Sequence, residues 1–202
     1  MDREDLYLDH RSLKTKKALE SSVLHLLKHK EFEDIYITDI VKKANINRGS
    51  FYNHFKDKNE LLYSIITKKN KELIYAYREP FLKNRPFILS QLPSSEVKLF
   101  NTIDKNSEYY STILNSDVSD LVEKEMFEAF KKINMEELNV KSNIIQSDLI
   151  ASYIAHAIVG LILQWVCGGY KYEAEFMNSQ LLELMRVSPY QTFHTKVIEK
   201  QI

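Results

Sequence analysis

Cysteine occurs once in this chain of 202 residues, at Cys167, so no internal disulfide framework can hold it together. A single thiol fits a reducing cytosol, and the charged N-terminus MDREDLYLDH lacks the apolar core of a signal peptide. A cytoplasmic protein is therefore expected. Glycine and proline occur only four times each while 28% of the residues are charged, a balance that points to a soluble all-helical chain. Glycine loops that cradle phosphates, the H-E-x-x-H metal pair and the G-x-S-x-G elbow are all missing. The six histidines are scattered at positions 10, 25, 29, 54, 156 and 194. His25 and His29 share a helix face, but two ligands in open solvent make a surface pair rather than a metal site. No enzymatic activity, cofactor or metal is expected. The formal net charge is zero, which argues against a uniformly basic nucleic-acid binder.

The charge is unevenly distributed. Residues 11–71 hold 14 Lys and Arg against 7 Asp and Glu, whereas residues 72–202 hold 13 against 17. The basic third of the chain also contains the most informative stretch, YITDIVKKANINRGSFYNHFKDKNELL, at residues 36–62. Thr38 stands where its hydroxyl can cap a helix carrying Ile40, Val41 and Ala44 on one apolar stripe. Asn45 tolerates a left-handed backbone and can end that helix, and Ile46 plugs the turn into the core. Asn47 caps a second helix predicted over 48–55, in which Phe51 and Phe55 point inward together. Arg48, Gly49, Ser50, Tyr52, Asn53 and His54 are left facing outward. Gly49 lowers helix stability, which makes sense where another backbone comes close. Asp57 and Glu60 form a capping box for the next helix. Two short helices and a tight turn with this polar face are how a helix-turn-helix meets the DNA major groove. A solvated lysine-rich surface explains the charge but not the motif.

The segment from Lys16 to Leu62 resembles the DNA-binding domain of the tetracycline-repressor (TetR/AcrR) family of bacterial transcription regulators. The resemblance is carried by Leu26-Leu27, the run FEDIYITDI, the core KKANINRGSFYNHF and the trailing Lys58. Asn45 departs from the usual Gly, and Asn47 from the usual Ser or Thr. The resemblance implies an all-α fold with an N-terminal three-helix helix-turn-helix domain (residues 1–60) and a C-terminal helical ligand-binding and dimerisation bundle (residues 61–202). It also implies that Thr38, Tyr52, His54 and Lys58 hold phosphates while Arg48, Ser50 and Asn53 reach base edges, with Asn47 and Gly49 beside them. Tyr52 has a competing reading as a half-buried helix aromatic, His54 as surface decoration, and Asn47 as a cap alone.

The remaining pattern predicts helices over 13–29, 58–77, 94–105, 106–115, 117–135, 146–168 and 172–187, with Pro80, Pro86 and Pro93 breaking the chain between 79 and 94. Leu149 to Val166 is the most apolar stretch, nearly long enough to span a bilayer. Ser152, His156 and Gln164 interrupt it and no basic flank orients it, so no membrane partner is expected. A helix apolar on nearly all sides is buried on two faces, one of them against a partner subunit. Ala157, Gly160, Leu161 and Gln164, with Phe176, Leu181, Leu184 and Met185 of the last helix, are candidates for a four-helix homodimer seam.

Candidate liners of a small-molecule pocket are Phe100, Ile103, Tyr109, Tyr110, Leu114, Met126, Phe127, Phe130, Tyr153, His156 and Trp165. Plain core is the competing reading for each of them. The expected function is a sequence-specific, DNA-binding transcriptional repressor, released from an inverted-repeat operator by an unidentified small-molecule effector. The alternative is a coactivator that kept the fold and acts through a protein partner.

Overall fold

The computed structural model of the protein describes residues 3–83, 89–136 and 145–187. Among them every regular element is helical. Helix α1 runs Arg3–Leu27, some ten residues further toward the N-terminus than the apolar pattern predicted. Leu19, Val23 and Leu27 face the interior, four residues apart. A 3-10 turn at Phe32–Asp34 leads into α2 (Ile37–Ala44), and α3 (Arg48–Tyr52) follows across a tight turn. Ile35, Ile40, Phe51 and Leu61 are fully buried and, with Leu19 and Val23, form the centre of this first unit.

Helix α4 (Lys58–Lys83) belongs to both halves of the molecule. Lys68 near its start pairs with Glu20 of α1 at 2.7 Å, while the Tyr77 hydroxyl near its end donates to the buried Asn134 amide oxygen of α7 at 3.1 Å. The helix passes through Pro80, where the sequence pattern predicted a break. Pro80 lies in the last turn and is buried, so one forfeited N–H bond near a helix end is outweighed by packing its ring.

The second half consists of α5 (Leu99–Asp104), α6 (Ser107–Leu114), α7 (Ser119–Glu136), α8 (Ser147–Cys167) and α9 (Ala174–Val187). Apart from residues 94–98, where the pattern predicted helix and a 3-10 turn (Ser94–Glu96) stands instead, these match the predicted spans to within two residues. Aromatic rings meet edge to face through the core: Phe100 on Trp165 at 5.2 Å, Tyr77 on Phe130 at 5.2 Å and Trp165 on Tyr170 at 4.8 Å. Asn178 satisfies the start of α5 by accepting the Phe100 N–H at 3.0 Å. Helix α8 ends at Gly168, where a β-carbon would stand 2.5 Å from the Gln164 carbonyl oxygen, and the chain turns through left-handed Gly169 and Tyr170.

By length and composition α8 is apolar enough to cross a membrane, yet half of its most apolar window is buried inside its own chain. One face packs on α7 and α6 through Ile150, Ile154, Ile158, Ile162 and Trp165. Among the described residues Tyr153, His156, Ala157, Gly160 and Gln164 are exposed on the opposite face.

Candidate nucleic-acid interface

The helix-turn-helix is built from local hydrogen bonds that the sequence dictates. Asn45 takes a left-handed backbone (φ 54°, ψ 48°), and the Ile46 N–H then reaches back to the Val41 carbonyl at 3.0 Å, closing α2. Asn47 is extended and its side-chain oxygen accepts the Ser50 N–H at 2.7 Å, capping α3. The Asp57 carboxylate accepts the Glu60 N–H at 2.8 Å to open α4, and the Glu60 carboxylate returns to the Lys56 N–H.

Two local expectations need correction. Thr38 does not cap α2: the helix begins after Tyr36, and it is the Asp39 carboxylate that accepts the Tyr36 N–H, at 3.2 Å. That bond, reinforced by the Lys30 ammonium, holds the Asp39 carboxyl below its ordinary pKa. Thr38 lies within the first turn, exposed. Helix α3 is also shorter than predicted, with Asn53 and His54 in a turn rather than in the helix. The His54 and Phe55 N–H groups both bond the Phe51 carbonyl at 2.9 Å, which tightens the chain as it leaves α3.

Phe51 and Phe55 are buried, as their spacing requires, and they fix what is left outside. Asn47, Arg48, Gly49, Tyr52 and Asn53 are exposed, and Ser50 and His54 are half-exposed. Arg48 folds over Tyr52, one turn on, with its guanidinium 5.6 Å from the ring centre and donating to the hydroxyl at 3.1 Å. A β-carbon at Gly49 would meet nothing closer than the Asn47 side-chain oxygen at 3.4 Å, so the fold itself does not demand glycine there. His54 is held below its ordinary pKa by burial first and by Lys16 second, which keeps the ring neutral near pH 7.

Lys58 is positioned differently from its neighbours. Its ammonium donates to the carbonyls of Phe32 (2.8 Å) and Glu33 (3.0 Å) and sits 4.7 Å from the Phe32 ring centre. Two of its three N–H donors are thus committed to the chain's own backbone. Three exposed residues went unnoticed in the sequence. Tyr36 is 66% exposed at the entrance of α2, and Lys42 and Lys43 stand in its last turn. The alternation of Ile35, Tyr36 and Ile37 around a buried position was the available signal for Tyr36.

In the regulatory half, Phe100, Ile103, Tyr109, Tyr110, Leu114, Met126, Phe130 and Trp165 are all buried, and Phe127 is half-buried. They pack on one another as core. Burial raises the pKa of both the Tyr109 and Tyr110 phenols, and the buried Tyr110 hydroxyl has no hydrogen-bond partner among the described residues. Tyr153, 60% exposed, and His156 do not join this cluster: a helix has only one inward face, and theirs is the outward one. His156 instead stacks on Phe127 at 4.2 Å and bonds the Ser152 carbonyl through Nδ1 at 2.9 Å.

The same outer strip of α8 carries Ala157, Gly160 and Gln164, with Leu161 at its edge, and α9 adds the exposed Phe176 and Leu184 and the half-buried Met185. Leu181 departs from this set. It is only 4% exposed and packs into its own chain's core. Among the described residues no neighbouring atom comes within 4 Å of a β-carbon at Gly160. His25 and His29 lie ring to ring at 5.4 Å, and no cluster of three or more metal-ligating side chains occurs among the described residues.

Comparison with known proteins gives this geometry its context. Residues 24–65 match the family described as bacterial regulatory proteins, tetR family, and residues 91–187 match a transcriptional regulator C-terminal region of the same class. The chain is 26% identical over 185 residues to the uncharacterized HTH-type transcriptional regulator YxbF of Bacillus subtilis, covering 91% of this chain but only 47% of that one. It is 26% identical over 184 residues to DhaS of Lactococcus lactis, an HTH-type dhaKLM operon transcriptional activator, covering 87% of this chain and 90% of DhaS. Among solved structures, the dihydroxyacetone kinase operon activator DhaS superposes with a TM-score of 0.60 at 21% identity, over 86% of this chain and 94% of that one. A tetR-family transcriptional regulator from Streptomyces coelicolor superposes at 0.59 and 17% identity, over 99% of this chain and 89% of that one. At such identities the superpositions speak for the fold alone.

Proposed function

Because the chain belongs to the tetR family of bacterial regulatory proteins, a family of transcriptional regulators and not of enzymes, we propose that it acts in the cytoplasm as a homodimer on an inverted-repeat operator. The observation that carries this reading is the outward set of α3. Arg48, Gly49, Tyr52 and Asn53 are exposed around two buried phenylalanines, beside the lysines of α2. Arg48 and Asn53 suit base edges, Arg toward guanine and Asn toward adenine, with Ser50 beside them. Tyr52 and Thr38 suit phosphates, as do Tyr36, Lys42 and Lys43, and His54 joins them when a phosphate beside the ring favours its protonation. Lys58 has one N–H left for a phosphate and otherwise braces the turn ahead of α2. The absence of any internal steric need for Gly49 supports close approach by an outside backbone.

A five-residue reading helix covers only a few base pairs, so a two-fold copy is required to read half-sites about 34–36 Å apart. The outer strip of α8 with Phe176 and Leu184 of α9 is the seam that supports such a dimer, because apolar and small residues there are exposed among the described residues. The regulator acts as a repressor released by a small-molecule effector in the regulatory half. The buried Tyr110 hydroxyl, without a hydrogen-bond partner among the described residues, is a group there that an effector could engage.

Selection of bound fragments from a random duplex library tests this reading. An enriched inverted repeat, retained by the native chain and lost with Arg48→Ala, is the expected result; no enrichment would sink it. A second reading is favoured by two observations: the similar DhaS is an activator, and the buried aromatics of the regulatory half are already packed on each other. On that reading the chain activates transcription with a protein partner. A reporter placed behind the selected repeat separates the two by the sign of its response.

A further inference from the structure

One contact reaches from the regulatory half to the backbone just ahead of the reading head. Both carboxylate oxygens of Asp117, in the turn between α6 and α7, accept the Phe32 N–H, at 2.9 and 2.8 Å across 85 residues of sequence. Phe32 is fixed from its other sides as well. Its carbonyl accepts the Lys58 ammonium of α4 at 2.8 Å, the same ammonium lies over its ring, and the ring is only 4% exposed. A second tie flanks the first: Lys28, just past α1, pairs with Glu108 at the other end of α6. Helix α6 is therefore pinned at both ends to the connection between α1 and α2. That connection is short. The 3-10 turn that Phe32 opens is followed by the fully buried Ile35, and α2 begins two residues later.

We propose that Asp117 is a positioning residue for the reading helix, holding Phe32 and thereby setting how α2 and α3 sit against the regulatory half. The chemistry favours this role for an aspartate. A carboxylate accepting a backbone N–H is a charge-assisted bond, and here it caps an N–H at the start of a 3-10 turn, where no helical partner exists. Phe32 cannot move alone, because Lys58 and the core hold its remaining groups. A displacement of the α6–α7 turn is passed on to the start of α2 instead of being absorbed in a loose loop.

The test uses the full-length chain with Asp117→Ala and Asp117→Asn. Both variants remove the same negative charge, but Asn keeps a side-chain oxygen that can accept the Phe32 N–H. The first readout needs no DNA. In Asp117→Ala, hydrogen exchange is expected to quicken at least tenfold both at the Phe32 amide and at the amides of residues 50–52 in α3, with Asp117→Asn close to the native chain. Quickening confined to residues 32–34 would reduce Asp117 to a local cap and overturn the proposal. The second readout, affinity for the library-selected duplex, rests on the DNA-binding reading above. Loss of charge alone strengthens binding equally in both variants. A positioning role makes Asp117→Ala bind at least fivefold more weakly than Asp117→Asn. Equal affinities would overturn the proposal, whereas a native chain that binds no duplex at all would count against the function and leave the exchange result to decide this one.

Discussion

The two halves of the molecule place their aromatic and polar groups in opposite ways. In the reading head, two phenylalanines are buried and the polar side chains of a five-residue helix are held out to solvent by a backbone that caps itself. In the second half Phe100, Trp165 and Tyr170 meet edge to face, and among the described residues an outer strip of α8 with Tyr153, Ala157 and Gly160 stays exposed. On the proposed function, a surface for nucleic acid and a surface for a second copy of the chain differ in what each leaves unburied. Phosphates and base edges need donors in water-accessible positions, whereas a subunit seam needs apolar area that its own core does not use.

The sharpest way to break this comparison is to empty each core in turn. Phe51→Ala and Phe100→Ala each remove a fully buried ring and should cost about 3–5 kcal/mol in denaturant unfolding. If the halves differ as described, Phe51→Ala abolishes DNA retention while leaving the regulatory helices protected from hydrogen exchange. A single shared transition in both variants would mean the halves melt as one unit. Next in size is Gly160→Arg. Among the described residues no neighbouring atom lies within 4 Å of a β-carbon there, and leaving glycine behind favours the helix, so each subunit should still fold. The particle should nevertheless fall to monomer mass in sedimentation, with operator affinity down at least about a hundredfold as the second half-site is lost. A variant that remained dimeric would move the seam elsewhere.

Smaller effects sharpen the reading head itself. Arg48→Ala should cost about 1–3 kcal/mol at the selected repeat and blur preference at one position. Lys58→Ala should weaken binding to all sequences. The salt dependence decides why: a slope reduced by about one means a phosphate contact, and an unchanged slope means that bracing of Phe32 was its whole role. The smallest effect concerns pH. His54 has its folded pKa lowered by burial, so the neutral ring favours the native state, and that share of stability is present above the unfolded value and lost as pH falls through the folded one. A phosphate placed beside the ring pulls in the other direction. Operator affinity should therefore rise modestly between pH 8 and pH 6, and His54→Gln should flatten that rise. An identical profile in both proteins would remove His54 from the interface.

How far the sequence could be read depended on whether a residue's neighbours are local. Asn45, Asn47 and Asp57 do what their side chains allow within three or four residues, and each behaves as expected. Thr38 fails by the same standard: a carboxylate one residue on competed for the same helix start and won. Lys58 was legible as a cation at the right spacing, but its partners lie 25 and 26 residues earlier in the chain. Tyr153 and His156 were assigned to an interior because aromatic residues on an apolar helix look alike from either face.

The order of helices, the caps and turn of the reading head and the inward pair Phe51 and Phe55 followed from the sequence by itself, because periodicity and capping act within one or two turns. Which face of α8 would stay open, which aromatics would fill the core and that Asp117 would close on Phe32 were decided by tertiary structure alone. Those outcomes depend on which distant surfaces meet, and a helix apolar on nearly every side contains no local signal of where its partner stands.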